Sequence, residues 1–149
     1  MTEPTRIVAR FTDGRMLKGT TQDFFPNRPS FHVLPADGSP AVEVRCRQIK
    51  ALFFVRSFEG DPGRKDAPGF TAGPLEASQG KKIAVRFPDG EILCGYSLSY
   101  TSDRDGFFLF PADGGSNNTR IFVIASSATE VKAGPAAETM VARRLGNKP

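Results

Sequence analysis

The residues that could do chemistry are few. His32 is the only histidine among 149 residues, and general acid–base catalysis near neutral pH draws first on such a ring. It sits between Phe31 and Val33 in a strand-like run, and its counterpart later in the chain is Phe108. A position that accepts a ring without titratable nitrogens suits packing or an interface better than catalysis. The carboxylates Asp13, Asp37, Asp89 and Asp113 each precede a glycine, where the side chain serves the turn by bonding its own backbone. Cys46 and Cys94 are the only cysteines; they occupy non-equivalent strand positions and read as buried free thiols rather than a disulfide or a metal pair. Asp113-Gly114-Gly115-Ser116 has adjacent glycines but lacks the Gly-Lys-Ser/Thr of a phosphate cradle, and reads as a hairpin turn. These observations predict no catalytic, cofactor-binding or metal-ligating residues, and no enzyme.

Binding chemistry has two candidates. Arg45, Arg47 and Lys50, with Lys18 and the tail pair Arg143 and Arg144, supply a basic face. Strand alternation puts Arg45 and Arg47 opposite Val44 and Cys46, where a row of cations could follow phosphates. The competing reading is a solvated strand face that protects a sheet edge. The other candidate is Phe25, Pro26, Arg28 and Pro29, with Arg104 at the equivalent place further on. A Phe beside an Arg is the composition of a protein-interface anchor. Phe24 and Phe25 are adjacent, so alternation cannot bury both on one side.

These candidates sit on a chain written twice. Phe11-Thr12-Asp13-Gly14-Arg15-Met16-Leu17-Lys18-Gly19 returns as Phe87-Pro88-Asp89-Gly90-Glu91-Ile92-Leu93-Cys94-Gly95, an offset of 76 residues that also relates Ile7 to Ile83 and Pro35-Ala36-Asp37-Gly38 to Pro111-Ala112-Asp113-Gly114. After a three-residue insertion around Ser116-Asn117-Asn118, an offset of 79 aligns Val42, Val44, Ile49 and Leu52 with Ile121, Val123, Ala128 and Val131. The repeats occupy 1–59 and 81–134, separated by a Gly/Pro-rich linker at 60–80 and followed by a tail at 135–149 with helical character around Ala136 to Arg144. Each repeat is near the lower size limit for folding alone, at roughly 55 residues.

Within the first repeat, Arg6 to Phe11 reads as a strand and Asp13-Gly14 as a two-residue hairpin turn. Arg15 to Phe24 follows as a long strand, bent or bulged at Gly19. Phe31 to Pro35 and Val42 to Arg47 are the third and fourth strands, Gln48-Ile49-Lys50 one helical turn, and Ala51 to Val55 the fifth strand. The second repeat places its strands at Lys82 to Phe87, Glu91 to Thr101, Gly106 to Phe110, Arg120 to Ala125 and Thr129 to Lys132.

Asp13-Gly14, Leu17, Gly19, Ile49 and Leu52, with Asp89-Gly90, Leu93, Gly95, Ala128 and Val131, give a pattern that resembles the SH3-like small barrel, and within it the Sm-like unit. Both copies lack the asparagine-containing RNA-binding turn and the Arg-Gly pair of that family. The stretches Asp23 to Phe31 and Phe107 to Asp113 also resemble an uncharacterised bacterial domain associated with signalling and motility proteins. The resemblances imply an all-β protein of two tandem five-stranded SH3-like (Sm-like) barrels without catalytic residues.

Charge limits the partners. The formal net charge is +4, with 20 Lys and Arg against 16 Asp and Glu. The surplus falls in the first repeat and the tail, short of the dense patch that marks a nucleic-acid protein. No stretch resembles a transmembrane span or a signal peptide. The expectation is a cytoplasmic, non-catalytic module that binds a protein; the alternative is an RNA- or single-stranded-DNA-binding protein using the basic face of the first repeat.

Overall fold

The computed structural model describes residues 5–58, 81–98, 100–101, 105–111 and 118–145. The chain is mostly β. Ten strands form one antiparallel sheet: β1 (Thr5–Phe11), β2 (Met16–Thr21), β3 (Ser30–Pro35), β4 (Val42–Arg45), β5 (Ile49–Val55), β6 (Lys81–Arg86), β7 (Ile92–Ser97), β8 (Gly106–Pro111), β9 (Asn118–Ile124) and β10 (Glu130–Ala133). Among the described residues one α-helix, α1 (Pro135–Leu145), follows. The stretch 60–80, expected as a linker, lies outside the described residues.

The strand order is β10-β6-β7-β8-β9-β5-β1-β2-β3-β4. Each repeat therefore orders its strands fifth, first, second, third, fourth. The two halves join where β5 pairs with β9, from Ala51↔Val123 to Val55↔Asn118. The all-β expectation holds, and the strands expected as two tandem five-stranded barrels run as one continuous ten-stranded sheet among the described residues, because the fourth strand of the second repeat pairs with the fifth strand of the first.

Burial explains why the seam forms there. Every residue of Ile49–Val55 is buried, as expected when both faces of a strand are covered. Leu52 and Phe54 enter one core with Ile7, Phe31, Val33 and Val44, and β9 sends Phe122 and Ile124 to the same core. Ala51, Phe53 and Val55 enter the other core with Ile83, Val85, Phe107 and Leu109, joined by Ile121 and Val123. Period-two alternation thus makes the β5–β9 pair a shared wall between two cores on opposite faces. The helix α1 covers the outer face of the second repeat, where Ala137 and Val141 bury Ala84.

The turns depart from the sequence reading in detail. Phe11 N–H donates to the Arg15 carbonyl and Gly14 N–H to the Phe11 carbonyl, so the hairpin loop has three residues rather than two. Only Gly14 takes positive φ, 96°, and Gly90 at 91° repeats this, as expected of a type I turn closed by a left-handed residue. Gly19 makes no bulge: the β1–β2 register runs unbroken through Ile7↔Gly19. A Cβ there would lie 2.2 Å from the Leu34 carbonyl oxygen, and one at Gly95 would lie 2.0 Å from that of Phe110. Both glycines serve the close approach of the third strand of each repeat.

Candidate functional site

The loop between β2 and β3 is held by Asp23. Its Oδ1 accepts the His32 backbone N–H at 2.8 Å, and its Oδ2 pairs with His32 Nδ1 at 2.7 Å. Partial burial alone would raise the Asp23 carboxyl, but the N–H and ring bonds to His32 outweigh it and hold the group below its ordinary 3.8. The bond to Asp23 raises His32 above its ordinary 6.5, aided by Glu43, which faces it across the β3–β4 ladder. His32 is thus an exposed, ion-paired side chain with no nucleophile bonded to its ring among the described residues.

From this anchor the two adjacent phenylalanines part. Phe24 turns inward and meets Phe31 edge-on at 5.3 Å and Phe122 at 5.2 Å between ring centroids, so its ring contacts both repeats. Phe25 turns outward and is 46% exposed, with the Arg28 guanidinium 4.8 Å above its ring. The Cys46 N–H donates to the Pro29 carbonyl at 2.8 Å, and the Cys46 thiol lies 3.6 Å from the Arg28 carbonyl. These bonds tie the loop to the 3-10 turn Cys46–Gln48, which sets Arg28 and Arg47 on a common rim.

Across from this rim stands the second repeat. Asp105 and Gly106 open β8, with the Asp105 carbonyl accepting the Ala125 N–H at 2.8 Å. A Cβ on Gly106 would lie 2.6 Å from the Phe122 ring, so glycine lets that ring lie flat against β8. The result is a cleft of about 640 Å³ lined by Pro26, Arg28, Pro29 and Arg47 of the first repeat and by Phe122, Ile124 and Asp105 of the second. Its size is that of small-ligand and peptide sites, at roughly 300–1,000 Å³. Burial raises the Cys46 thiol above its ordinary 9.0, which leaves little thiolate for nucleophilic chemistry. The arrangement can bind: it offers two cations, one carboxylate and an apolar floor.

Of the expected interface residues, Phe25, Pro26, Arg28 and Pro29 come together here, and Arg104 lies outside the described residues. The expected basic row does not assemble. Arg45 ends β4 exposed, and Arg47 sits in the 3-10 turn rather than on a strand. Lys50 is buried at 7% exposure. Its ammonium lies 2.8 Å from Asp89 and 2.5 Å from Glu91, beneath the Phe87 ring. It belongs to the joint between repeats, not to a face; period two fails because the 3-10 turn Cys46–Gln48 intervenes between Arg45 of β4 and Lys50 of β5. Lys18 donates to the Phe58 carbonyl at 3.1 Å. Arg143 and Arg144 lie in α1, and their side chains lie outside the described residues.

The sequence reading missed the contribution of the second repeat. Phe122, Ile124 and Asp105 carry no local signature. Arg120, whose guanidinium stacks over Phe54 at 4.4 Å and Phe108 at 4.7 Å, was equally silent. Among the described residues, no helix is long and apolar enough to cross a membrane, and no group of three metal-ligating side chains gathers. No curated protein and no solved structure matches the chain. The model of the family of unknown function DUF6982 matches residues 3–133, and the chain belongs to that family.

Proposed function

We propose that this chain is a non-catalytic binding module of the bacterial cytoplasm, whose cleft between the repeats receives a segment of a partner protein. On this reading its halves are two SH3-like units of the Sm-like kind fused edge to edge, and the setting is the signalling and motility one implied by the sequence resemblance. The fifth-first-second-third-fourth strand order in each repeat supports that ancestry.

The observation that carries the proposal is the convergence of an exposed Phe–Arg stack, two prolines and a second arginine around an apolar floor from the other repeat. Aromatic and Arg anchors around a desolvated floor are the composition of interface hot spots. The nucleic-acid alternative loses ground because Lys50 is withdrawn into an ion pair and the basic face is reduced to separate arginines.

A photoreactive phenylalanine analogue placed at Phe25 in the producing cell tests the proposal. The expected result is a discrete protein adduct that disappears when Arg28→Glu and Arg47→Glu are introduced. Adduct formation unaffected by those changes refutes the cleft. Salt-sensitive binding of random single-stranded RNA, followed by fluorescence anisotropy and lost in the same variant, would replace the protein partner with nucleic acid.

A further inference from the structure

We infer that the segment received by the cleft carries an acidic side chain next to an apolar one. The inference rests on the protein-binding reading above and specifies its partner's chemistry. Neither Arg28 nor Arg47 is ion-paired to a carboxylate among the described residues, whereas Arg15, Lys50, Arg86 and Lys132 all are. Arg28 is held in place by stacking on Phe25 and by the turn bond from its own N–H to the Phe25 carbonyl at 3.0 Å. A guanidinium fixed in this way has its fork ready for a carboxylate, and little side-chain entropy remains to be lost on binding.

The remaining surfaces define the rest of the ligand. Phe122 and Ile124 are 4% and 6% exposed, so the floor receives the tip of an apolar side chain rather than a ring laid flat. Pro26 and Pro29 lack N–H donors, so these two positions of the rim cannot bond a partner's carbonyls in the alternating pattern of a strand edge. Recognition falls to side chains. Asp105, contributed by the other repeat, also lines the cleft and disfavours a ligand acidic along its whole length, so the carboxylate belongs with Arg28 and Arg47 and the apolar side chain with the floor. A nucleic acid fits less well. One face of Phe25 is already covered by Arg28, and stacking platforms need open aromatic faces.

A random dodecapeptide display library panned on the full chain, with counter-selection on the Arg28→Glu, Arg47→Glu variant, tests this. Both arginines are exposed, and far-UV circular dichroism confirms that the variant folds. The expected result is enrichment of peptides with Asp or Glu beside an aliphatic or aromatic residue. A synthetic representative should bind at least about tenfold more weakly when the acid is replaced by its amide, and the amide-resonance shifts it induces should map to 27–28, 46–47 and 122–126. An internal acid and a C-terminal carboxylate are separated by amidating the peptide terminus. Peptides that bind in the cleft without dependence on a carboxylate overturn the inference and leave the binding proposal standing. Failure of every peptide to map to the cleft overturns both.

Discussion

Lys50 gives the most discriminating test of the joint between the repeats. Its side chain is 8% exposed, while its partners Asp89 and Glu91 are 60% and 35% exposed. Breaking a buried ion pair by removing one partner costs about 3–5 kcal/mol when the remaining charge is stranded away from water. Here the two ways of breaking the pair are unequal. Asp89→Asn with Glu91→Gln leaves an ammonium against the Phe87 ring, 4.7 Å from its centroid, with no counter-charge. That variant should lose about 3 kcal/mol, the lower end of the range, because Phe87 still offers its face to the cation. Lys50→Met leaves Asp89 hydrated at 60% exposure and places an apolar chain against Phe87, but strands the buried Glu91 Oε1, for a loss of about 1–2 kcal/mol.

Urea denaturation followed by far-UV circular dichroism reads both values, with unchanged slopes confirming that stability alone has moved. The chain has no tryptophan, which makes circular dichroism the better probe. The pH dependence provides a second reading. Bonding to Lys50 holds the Asp89 carboxyl below its ordinary 3.8, so its contribution is present above that value and is lost as pH falls through the lower folded value. Burial alone would depress Lys50, but its two carboxylates outweigh it and raise the group above 10.5; that contribution is lost only as pH rises through the raised value. Lys50→Met should flatten both limbs. A Lys50→Met variant as destabilised as the Asp89→Asn, Glu91→Gln variant would refute the asymmetry, and with it the burial of Lys50 in the joint.

Three other perturbations follow from the same geometry. Phe122→Ala, at a side chain 4% exposed in the core of the first repeat, should cost about 3–5 kcal/mol; hydrogen exchange should then accelerate in β1, β3 and β4 as well as in β9, and exchange confined to the second repeat would contradict the shared wall. Gly19→Ala places a Cβ 2.2 Å from the Leu34 carbonyl oxygen and should destabilise by about 1–3 kcal/mol, whereas a neutral outcome in a thermal melt would mean that β3 is free to retreat. For the Asp23–His32 pair, Asp23 contributes above its ordinary 3.8 and His32 contributes fully below its ordinary 6.5, so the pair stabilises most between those values. His32→Phe should abolish the decline in stability as pH rises through the raised His32 value, and an unchanged pH profile would show that the pair is not formed.

Much of the fold was legible because duplication supplies its own control. Apolar positions that coincide in two copies are positions the fold requires, and the strands and turns fell close to where the repeat placed them. What the comparison could not show was contact between copies, since alignment relates equivalent residues and not touching ones. A signal was present nevertheless. Ala51-Leu52-Phe53-Phe54-Val55 is apolar without alternation, whereas its counterpart Glu130-Val131-Lys132-Ala133 alternates. The first is the composition of a strand covered on both faces and the second that of a strand with one face wet. The site divides in the same way. Phe25 to Pro29 stood out as an unusual loop, but Asp105, Phe122 and Ile124 become part of a cleft only because β9 lies beside β5.

The same comparison explains why the sheet stops at ten strands. The seam joins the fourth strand of one repeat to the fifth of the other, so the free edges, β4 and β10, are the halves of an identical joint. Extension end to end would follow if those edges carried the residues of the seam. They do not: Phe122 and Ile124 of β9 correspond to Glu43 and Arg45 of β4, and Ala51 and Phe53 of β5 correspond to Glu130 and Lys132 of β10. Charges at these positions would have to be stripped of water in any further seam, which is how natural sheets keep their edges from pairing. Charge at both ends therefore opposes a further seam, while the apolar residues of β5 and β9 favour the one within the chain. The cleft inherits this asymmetry. It needs a β2–β3 loop on one side and the β8–β9 surface of a following repeat on the other, so among the described residues the one seam gives one such cleft. The cleft is not a feature of each repeat doubled by the duplication; it arises with the seam.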